Sequence, residues 1–569
     1  MVYLIRFLSI FTSLLLVSLV GCSSGNRKER NKFKKIYTQK KYDSAIKFIE
    51  KSEIKKDKDS KLLYYWEMGK LYHNWGHYEI SARYLQKSQE LLKQYYTKSI
   101  TKTASTYVTN DNYQTYDGEL FERSLSFYIQ SLNYIMMYQT GQGSRMGKKG
   151  KPETYELSAA QKRSSLFKAR AQILAWDSFF KGVQRSTRYD TVYRNDLLIK
   201  LYGGAVHEMI GKRSDDQIAL QLYKDAKKLL KYLGSTYVTY NTNYKRYTKQ
   251  FLKKKNKFSG SIKKNLVNKT NIYKELDDFI DYKILKLTKK SRSSEFDKTA
   301  KQIKAKKSII SKVKREQINN VSIVINEGTT VGKTPDKFDF SLDGAVKGIK
   351  DPKTRRAVRN IGEVVLTVFM MNVLDLTPRH RGVTYNNYVY GEALGRVAAN
   401  VASIEFEIPI VKNKPVKNKL ILSVHNGTTK VKELPIALIA PLDDMSNQAV
   451  SERVFSNYTK TGTRVALKHL TAIIAAYAIY KNMKEKNPLM AKWAATGSYL
   501  AAAKGIAASE KADTRHWSTL PRNIRLADLH LKKGTYTLKV RDTSSGKITN
   551  LGQINVDGKQ KNLFSYHLL

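Results

Sequence analysis

The sequence predicts an α+β chain, helical in its first half and β-rich in its second, with one pair of helices interrupting the strands. Three observations carry the prediction. Between Phe33 and Leu230, apolar and aromatic residues recur at helical spacing, in part with a 36-residue repeat. From about Val321 the period drops to two, as in Ile404, Phe406, Ile408 and Ile410. Towards the end, short alternating runs are separated by the turn signals Lys532-Lys533-Gly534 and Ser544-Ser545-Gly546. With 569 residues, 41% of them hydrophobic, and 37 Tyr, the chain supports a sizeable core and two to four domains.

The chain opens with Arg6, then an apolar run from Phe7 to Val20 broken only by Ser9, Thr12, Ser13 and Ser18, then Leu19-Val20-Gly21-Cys22. This is the pattern of a secretory signal of the lipoprotein type. Residues 1–21 are expected to be removed and the Cys22 sulfur to accept a diacylglycerol, making Cys22 the lipidation site. The apolar run is too short for an ordinary membrane-spanning helix. Cys22 is the only cysteine, so the mature chain has no disulfide and no thiolate metal site, and packing must supply its stability. Ser23 fits sorting to an outer membrane, facing the periplasm or the cell surface. Residues 22–32 read as a lipidated polar tether. Its Arg27, Lys28 and Arg30 each add about 1 kcal/mol against an anionic surface, less than the acyl chains at about 0.8 kcal/mol per buried CH₂.

Charge is lopsided: 102 Lys+Arg against 49 Asp+Glu, net +53. The plain reading is Lys as a default surface residue. The sharper one is attraction to an anionic lipid, a lipopolysaccharide or a cell-wall polymer; export makes nucleic acid an unlikely partner. Basic residues concentrate in 241–270, which holds ten Lys/Arg, among them Lys253, Lys254 and Lys255, and no acid.

Residues 33–230 read as a helical domain. Tyr42, Ala45 and Ile49 are followed 36 residues later by Tyr78, Ser81 and Leu85. Gly69, Tyr72, Gly76, Tyr78, Ser81, Leu85 and Ser88 take the small and aromatic positions of a tetratricopeptide-like repeat, where small residues let paired helices approach and aromatics fill the gaps. A degenerate unit follows at Gly203, His207, Gly211, Ala219, Tyr223 and Ala226. Tyr116 to Glu122 leads into a helix with Phe121, Leu125, Tyr128, Leu132 and Ile135 on one face, and Glu119 and Glu122 are expected to be solvated or salt-bridged. Residues 139–155 read as a Gly/Lys-rich loop, and 231–320 as a basic helical insertion or linker.

Residues 321–569 read as a β-rich, sandwich-like domain. Val321 to Ile325 is a strand. Gly328 to Thr334 falls one residue short of a phosphate loop and is followed by Pro335, so no nucleotide site is expected. Val364 to Met371 fits a buried strand or helix, and Tyr385 to Ser403 a loop and helix. Pro409 marks an edge strand. Leu420 to Val424 and Pro435 to Ile439 are further strands. Residues 445–510 form a helical hairpin, with Asn487-Pro488 as the cap of its Ala-rich second helix. Lys468, His469, Lys492 and Lys504 leave no uncharged membrane span, so the hairpin is expected to be buried on the neighbouring sheet. The last strands form an antiparallel meander.

Three stretches bear a resemblance: Tyr116 to Glu122 running on to Leu132-Asn133-Tyr134, Gly203 to Ala226, and Ala512-Asp-Thr-Arg-His-Trp-Ser-Thr-Leu-Pro521 followed by Leu531 to Leu538. Through them the chain resembles a family of uncharacterised bacterial envelope lipoproteins with a tetratricopeptide-like N-terminal half and a C-terminal β-rich domain. The basic 231–320 stretch departs from the family's more compact form. The resemblance implies no established activity; its layout is similar to that of outer-membrane activators of peptidoglycan synthases.

No H-E-x-x-H, no G-x-S-x-G and no nucleophile–base set occurs. His73 and His77 are four apart but lack a third metal ligand, so no metal and no cofactor is expected. The one site candidate is Asp513, Arg515 and Trp517: either an Asp–Arg pair presenting Trp517 for binding, or a lock between hairpin and strand. The expected function is a non-enzymatic scaffold, held by a membrane lipid, whose helical repeats offer a concave groove to another envelope protein. The alternative is a polyanion-binding surface protein using 241–270.

Overall fold

The computed structural model describes residues 25–98, 114–148, 150–185, 193, 195–230, 273–317, 319–341, 403–412, 416, 418–483, 485–558 and 560–569. Residues 1–21, expected to be a signal segment, Cys22, the basic stretch with Lys253, Lys254 and Lys255, the run Val364 to Met371 and residues 385–402 lie outside these.

Helix α1, Gly25–Thr38, replaces most of the expected tether. Its Phe33 and Tyr37 are four apart and fully buried. The surrounding Lys, Arg and Glu are good helix formers, but they form helix here because the Phe33–Tyr37 stripe finds a partner surface, which a polar segment alone cannot reveal. Helices α2 (Tyr42–Lys51), α3 (Glu53–Lys56), α4 (Lys61–Asn74) and α5 (Tyr78–Lys98) follow. Next come α6 (Leu120–Thr140), α7 (Ala159–Arg185), α8 (Leu197–Ile210) and α9 (Arg213–Lys228). Beyond 272 lie α10 (Tyr273–Ser291), α11 (Phe296–Ile303) and α12 (Lys307–Arg315).

From α4 to α10 each helix packs on the next. Close approach depends on the small residues: a Cβ on Gly69 would lie 2.9 Å from Leu85, and one on Gly204 2.5 Å from the Tyr223 ring. The helices form two rows that their burial distinguishes. In α7 and α9 the buried residues follow one stripe, such as Ala169, Ile173, Trp176 and Phe180, or Ala219, Tyr223 and Ala226. In α6 and α8 most residues are buried. The reason is that α6, α8 and α10 pack on a sheet as well as on their helical neighbours. The inner side of the helical stack, expected as an open groove, is therefore filled by the chain's own strands.

Between α6 and α7 the expected loop is a hairpin, β1 (Gln142–Met146) with β2 (Pro152–Glu156). Its register comes from α5: Glu79 Oε2 accepts from Ser144 N at 2.9 Å and from Tyr155 Oη at 2.7 Å. Gly143, over which the Tyr155 ring lies, made the segment look like loop.

The remaining strands are β3 (Val321–Glu327), β4 (Thr334–Ser341), β5 (Ser403–Ile410), β6 (Leu420–Asn426), β7 (Thr429–Pro441), β8 (Asn523–Leu529), β9 (Gly534–Asp542), β10 (Ile548–Val556) and β11 (Asn562–Leu568). Seven form one sheet in the order β10-β9-β6-β7-β8-β3-β11, antiparallel except for the parallel pair β3/β11. Among the described residues no second sheet lies against it, so the sandwich-like arrangement is corrected to a single sheet that curls nearly closed. Register shifts at Val424/His425, Leu438/Ala440 and Asn550/Gly552 provide the bends. Ile323, Leu422, Leu538 and Val540 fill its inside. On the other face Val324, Leu526 and Leu563 join the helices in a common core with Trp66, Tyr128 and Leu201. Leu276, Ile280 and Ile284 of α10, within the stretch read as insertion or linker, belong to that core too.

β4 and β5 pair as a separate ribbon with Pro335 opposite Pro409, positions that only edge strands tolerate. The long hairpin consists of α13 (Leu442–Met483) and α14 (Pro488–Ser509), with Asn487 Oδ1 accepting from Met490 N at 3.0 Å. Its base enters the core through Leu442 and Met445. Above that it packs along β5, not on the seven-stranded sheet as expected. Glu510 holds the two helices together through Arg464 and Lys468, both at 2.7 Å. No helix among the described residues is long and apolar enough to cross a membrane.

Candidate functional site

The Ala512–Pro521 segment runs between α14 and β8 and meets the first turns of α6. Glu119 is the N-cap of α6 and Glu122 its third residue, and the two form a reciprocal capping box. Glu122 reaches further. Its Oε1 accepts from Trp517 N at 2.8 Å, and its Oε2 accepts from Glu119 N at 2.8 Å and from the Tyr116 hydroxyl. Glu67 of α4 does the same for the next two residues. Its Oε1 accepts from Ser518 N at 2.6 Å; its Oε2 accepts from Thr519 Oγ1 at 2.6 Å and Thr519 N at 3.2 Å. Two buried carboxylates on two helices thus hold three consecutive backbone amides.

Trp517 is fully buried, its ring 4.9 Å from that of Trp66 and tilted by only 11°. The reading in which Trp517 is presented for binding is therefore corrected: the residue closes the core. Asp513 and Arg515 do pair, at 3.0 and 2.8 Å, and Arg515 Nη2 also donates to Gln114 O at 2.9 Å. The guanidinium lies 5.3 Å from the centre of the Tyr116 ring.

Above this lock is a cavity of about 180 Å³ lined by Asp117, Glu119, Lys333, Arg453, Asp513 and Arg515. Glu119 bridges Lys333 Nζ at 2.6 Å and Arg453 Nη1 at 3.1 Å. Burial pushes its carboxyl up, but Arg453 and Lys333 outweigh this and hold it at about 2. Burial raises Glu122, which has no such pair of cations. Burial likewise drives Glu67 to about 7 against the pull of its three donors. His516 is held at about 3 by burial and by the nearby Arg30 charge, so it is neutral, and its Nδ1 lies 2.8 Å from Thr514 O. Lys333, the one cation of the failed phosphate-loop pattern, thus serves as a partner for Glu119.

Neither Glu119 nor Glu122 is solvated as expected; both are buried, and only Glu119 is salt-bridged. Their roles were hidden because the backbone amides they satisfy come from the far end of the chain. Glu67 has one signal in the sequence, an acid that shares the mostly apolar run Leu62 to Leu71 with a single other charge, Lys70.

A second buried charge group joins helices to sheet. Lys283 of α10 pairs with Glu208 of α8 and Asp528 of β8, and Lys561 with Glu208 at 2.6 Å. His73 sits fully buried with Nδ1 2.6 Å from Asn133 Oδ1, and burial drops it to about 3. Among the described residues no group of three or more His, Cys, Asp or Glu is placed to hold a metal ion. Comparison with protein-family models, curated proteins and solved structures finds no match.

Proposed function

We propose that the chain is a lipid-anchored envelope protein that acts as a scaffold for another envelope protein and carries out no reaction of its own. The observation that carries this reading is the position of α1. It begins at Gly25, three residues after Cys22, and is built into the body. Arg30 donates to Thr514 Oγ1, Lys34 to Thr330 O at 2.9 Å, and Tyr37 to Thr519 O at 3.2 Å. A diacylglycerol on Cys22 would thus hold a rigid body at the membrane surface in a defined attitude, not on a loose tether.

The stacked helix pairs support a tetratricopeptide-like ancestry, but their inner row is occupied by the sheet. The partner surface we assign is the outer row, where α7 exposes Phe167 and Leu174 two turns apart on one face, at 37% and 54%. Labelling with a palmitate analogue, followed by crosslinking in native membranes, tests both halves. Lipid should enter at Cys22 and a discrete protein should crosslink to α7. Absence of label, or lipid with no protein partner, overturns the proposal.

A further inference from the structure

A concavity lies between α7, the α8–α9 turn and the start of β3, with a volume of about 750 Å³. That is the size range of small-ligand sites. We propose that it binds an anionic saccharide: a sugar unit carrying a phosphate or carboxylate. This goes beyond the scaffold reading and does not rest on it.

Surplus positive charge is the first argument. Lys162, Arg163 and Lys212 line the cleft, and among the described residues none is within ion-pair distance of a carboxylate. Arg163 and Lys212 both sit 5.8 Å from the centre of the Phe167 ring, so two cations gather over one ring with no anion between them. The other charges cancel. Lys290 pairs with Asp216 at 2.9 Å. Glu208, the one acid lining the cleft, takes Lys283, Lys561 and the Tyr223 hydroxyl. An anion entering the cleft relieves the repulsion among the three remaining cations.

An unfilled amide oxygen is the second argument. Asn319 lines the cleft at 7% exposure, and its side-chain oxygen makes no hydrogen bond. Its nitrogen is taken by the Tyr282 oxygen, whose own hydroxyl donates to Glu316 Oε2 at 2.9 Å. A sugar hydroxyl can donate to that Asn319 oxygen while the anionic group of the same sugar reaches the cations. Phe167 and Leu166 offer an apolar wall to the sugar's C–H face.

The test is calorimetric titration of the purified full chain with glucose 6-phosphate, N-acetylglucosamine 1-phosphate, glucuronate, neutral glucose and inorganic phosphate. At least one charged sugar should bind at least tenfold tighter than glucose and than inorganic phosphate; which one binds separates the phosphate from the carboxylate source. The triple variant Lys162→Ala, Arg163→Ala, Lys212→Ala should lose at least tenfold, with its melting temperature unchanged. Asn319→Leu should weaken the sugar and leave inorganic phosphate binding as it was. Equal binding of phosphate and sugar phosphate, no binding by any probe, or full binding by the triple variant overturns the inference. Lipid labelling and partner crosslinking are read separately, so either proposal fails without the other.

Discussion

The indole of Trp517 lies flat on that of Trp66, ring centres 4.9 Å apart, although the two residues belong to opposite ends of the chain. Both are fully buried, and Gly118 lets the α6 entry pass beside them: a Cβ there would meet the Trp66 ring at 2.3 Å. Replacing Trp517 with Ala should cost about 3–5 kcal/mol in urea unfolding, and Trp517→Phe clearly less. Gly118, at φ +76, should tolerate Ala poorly, losing about 1–3 kcal/mol through strain and overlap together. A Trp517→Ala chain as stable as the parent would show that the stack closes nothing.

Acid should undo the Glu119 bridge. Its folded pKa is lowered to about 2 from an ordinary value of 4.5. The stability it contributes is therefore present above about pH 4.5 and is lost as pH falls through 2, about 3 kcal/mol in all. Glu119→Gln should flatten the stability curve in that window. At neutral pH it should cost about 3–5 kcal/mol, because Lys333 is left buried without its partner.

Glu67 should behave in the opposite sense. Its folded pKa is raised to about 7, so its contribution is full below about pH 4.5 and is lost as pH rises through 7. Glu67→Gln should remove that dependence between pH 5 and 8. Unfolding at a series of pH values checks both.

For the anchor, Cys22→Ala should move the protein from the membrane to the soluble fraction after fractionation, while the urea transition of the body stays within about 0.5 kcal/mol. Retention at the membrane by the variant would count against the lipid.

On the outer row, Leu174→Arg should abolish the crosslinked partner without shifting the melting temperature, because Leu174 is 54% exposed and packs little in the folded chain. An unchanged crosslink would place the partner elsewhere.

Much of the secondary structure was legible because its causes are local. The Phe121–Ile135 stripe, the Asn487-Pro488 cap and the Tyr536–Val540 alternation each specify their element from within a few residues. The β1/β2 hairpin was missed because its register is held by Glu79, and α1 because Phe33 and Tyr37 need a surface the local sequence does not contain. The candidate lock was half legible: Asp513 and Arg515 are two apart and pair as expected, whereas Glu67 and Glu122 reach Trp517, Ser518 and Thr519 only across the folded core.

By itself, then, the sequence determined the α+β composition, the order of helices before strands and the close-packed Gly69 and Gly203 positions, all set by periodicity and side-chain size. Tertiary structure alone decided that the strands curl as one sheet against the inner helix row, leaving no groove there. It also decided that Glu67 and Glu122 are buried on distant amides. Burial depends on which surfaces meet, and surfaces contributed by residues hundreds of positions apart leave no pattern in either segment alone.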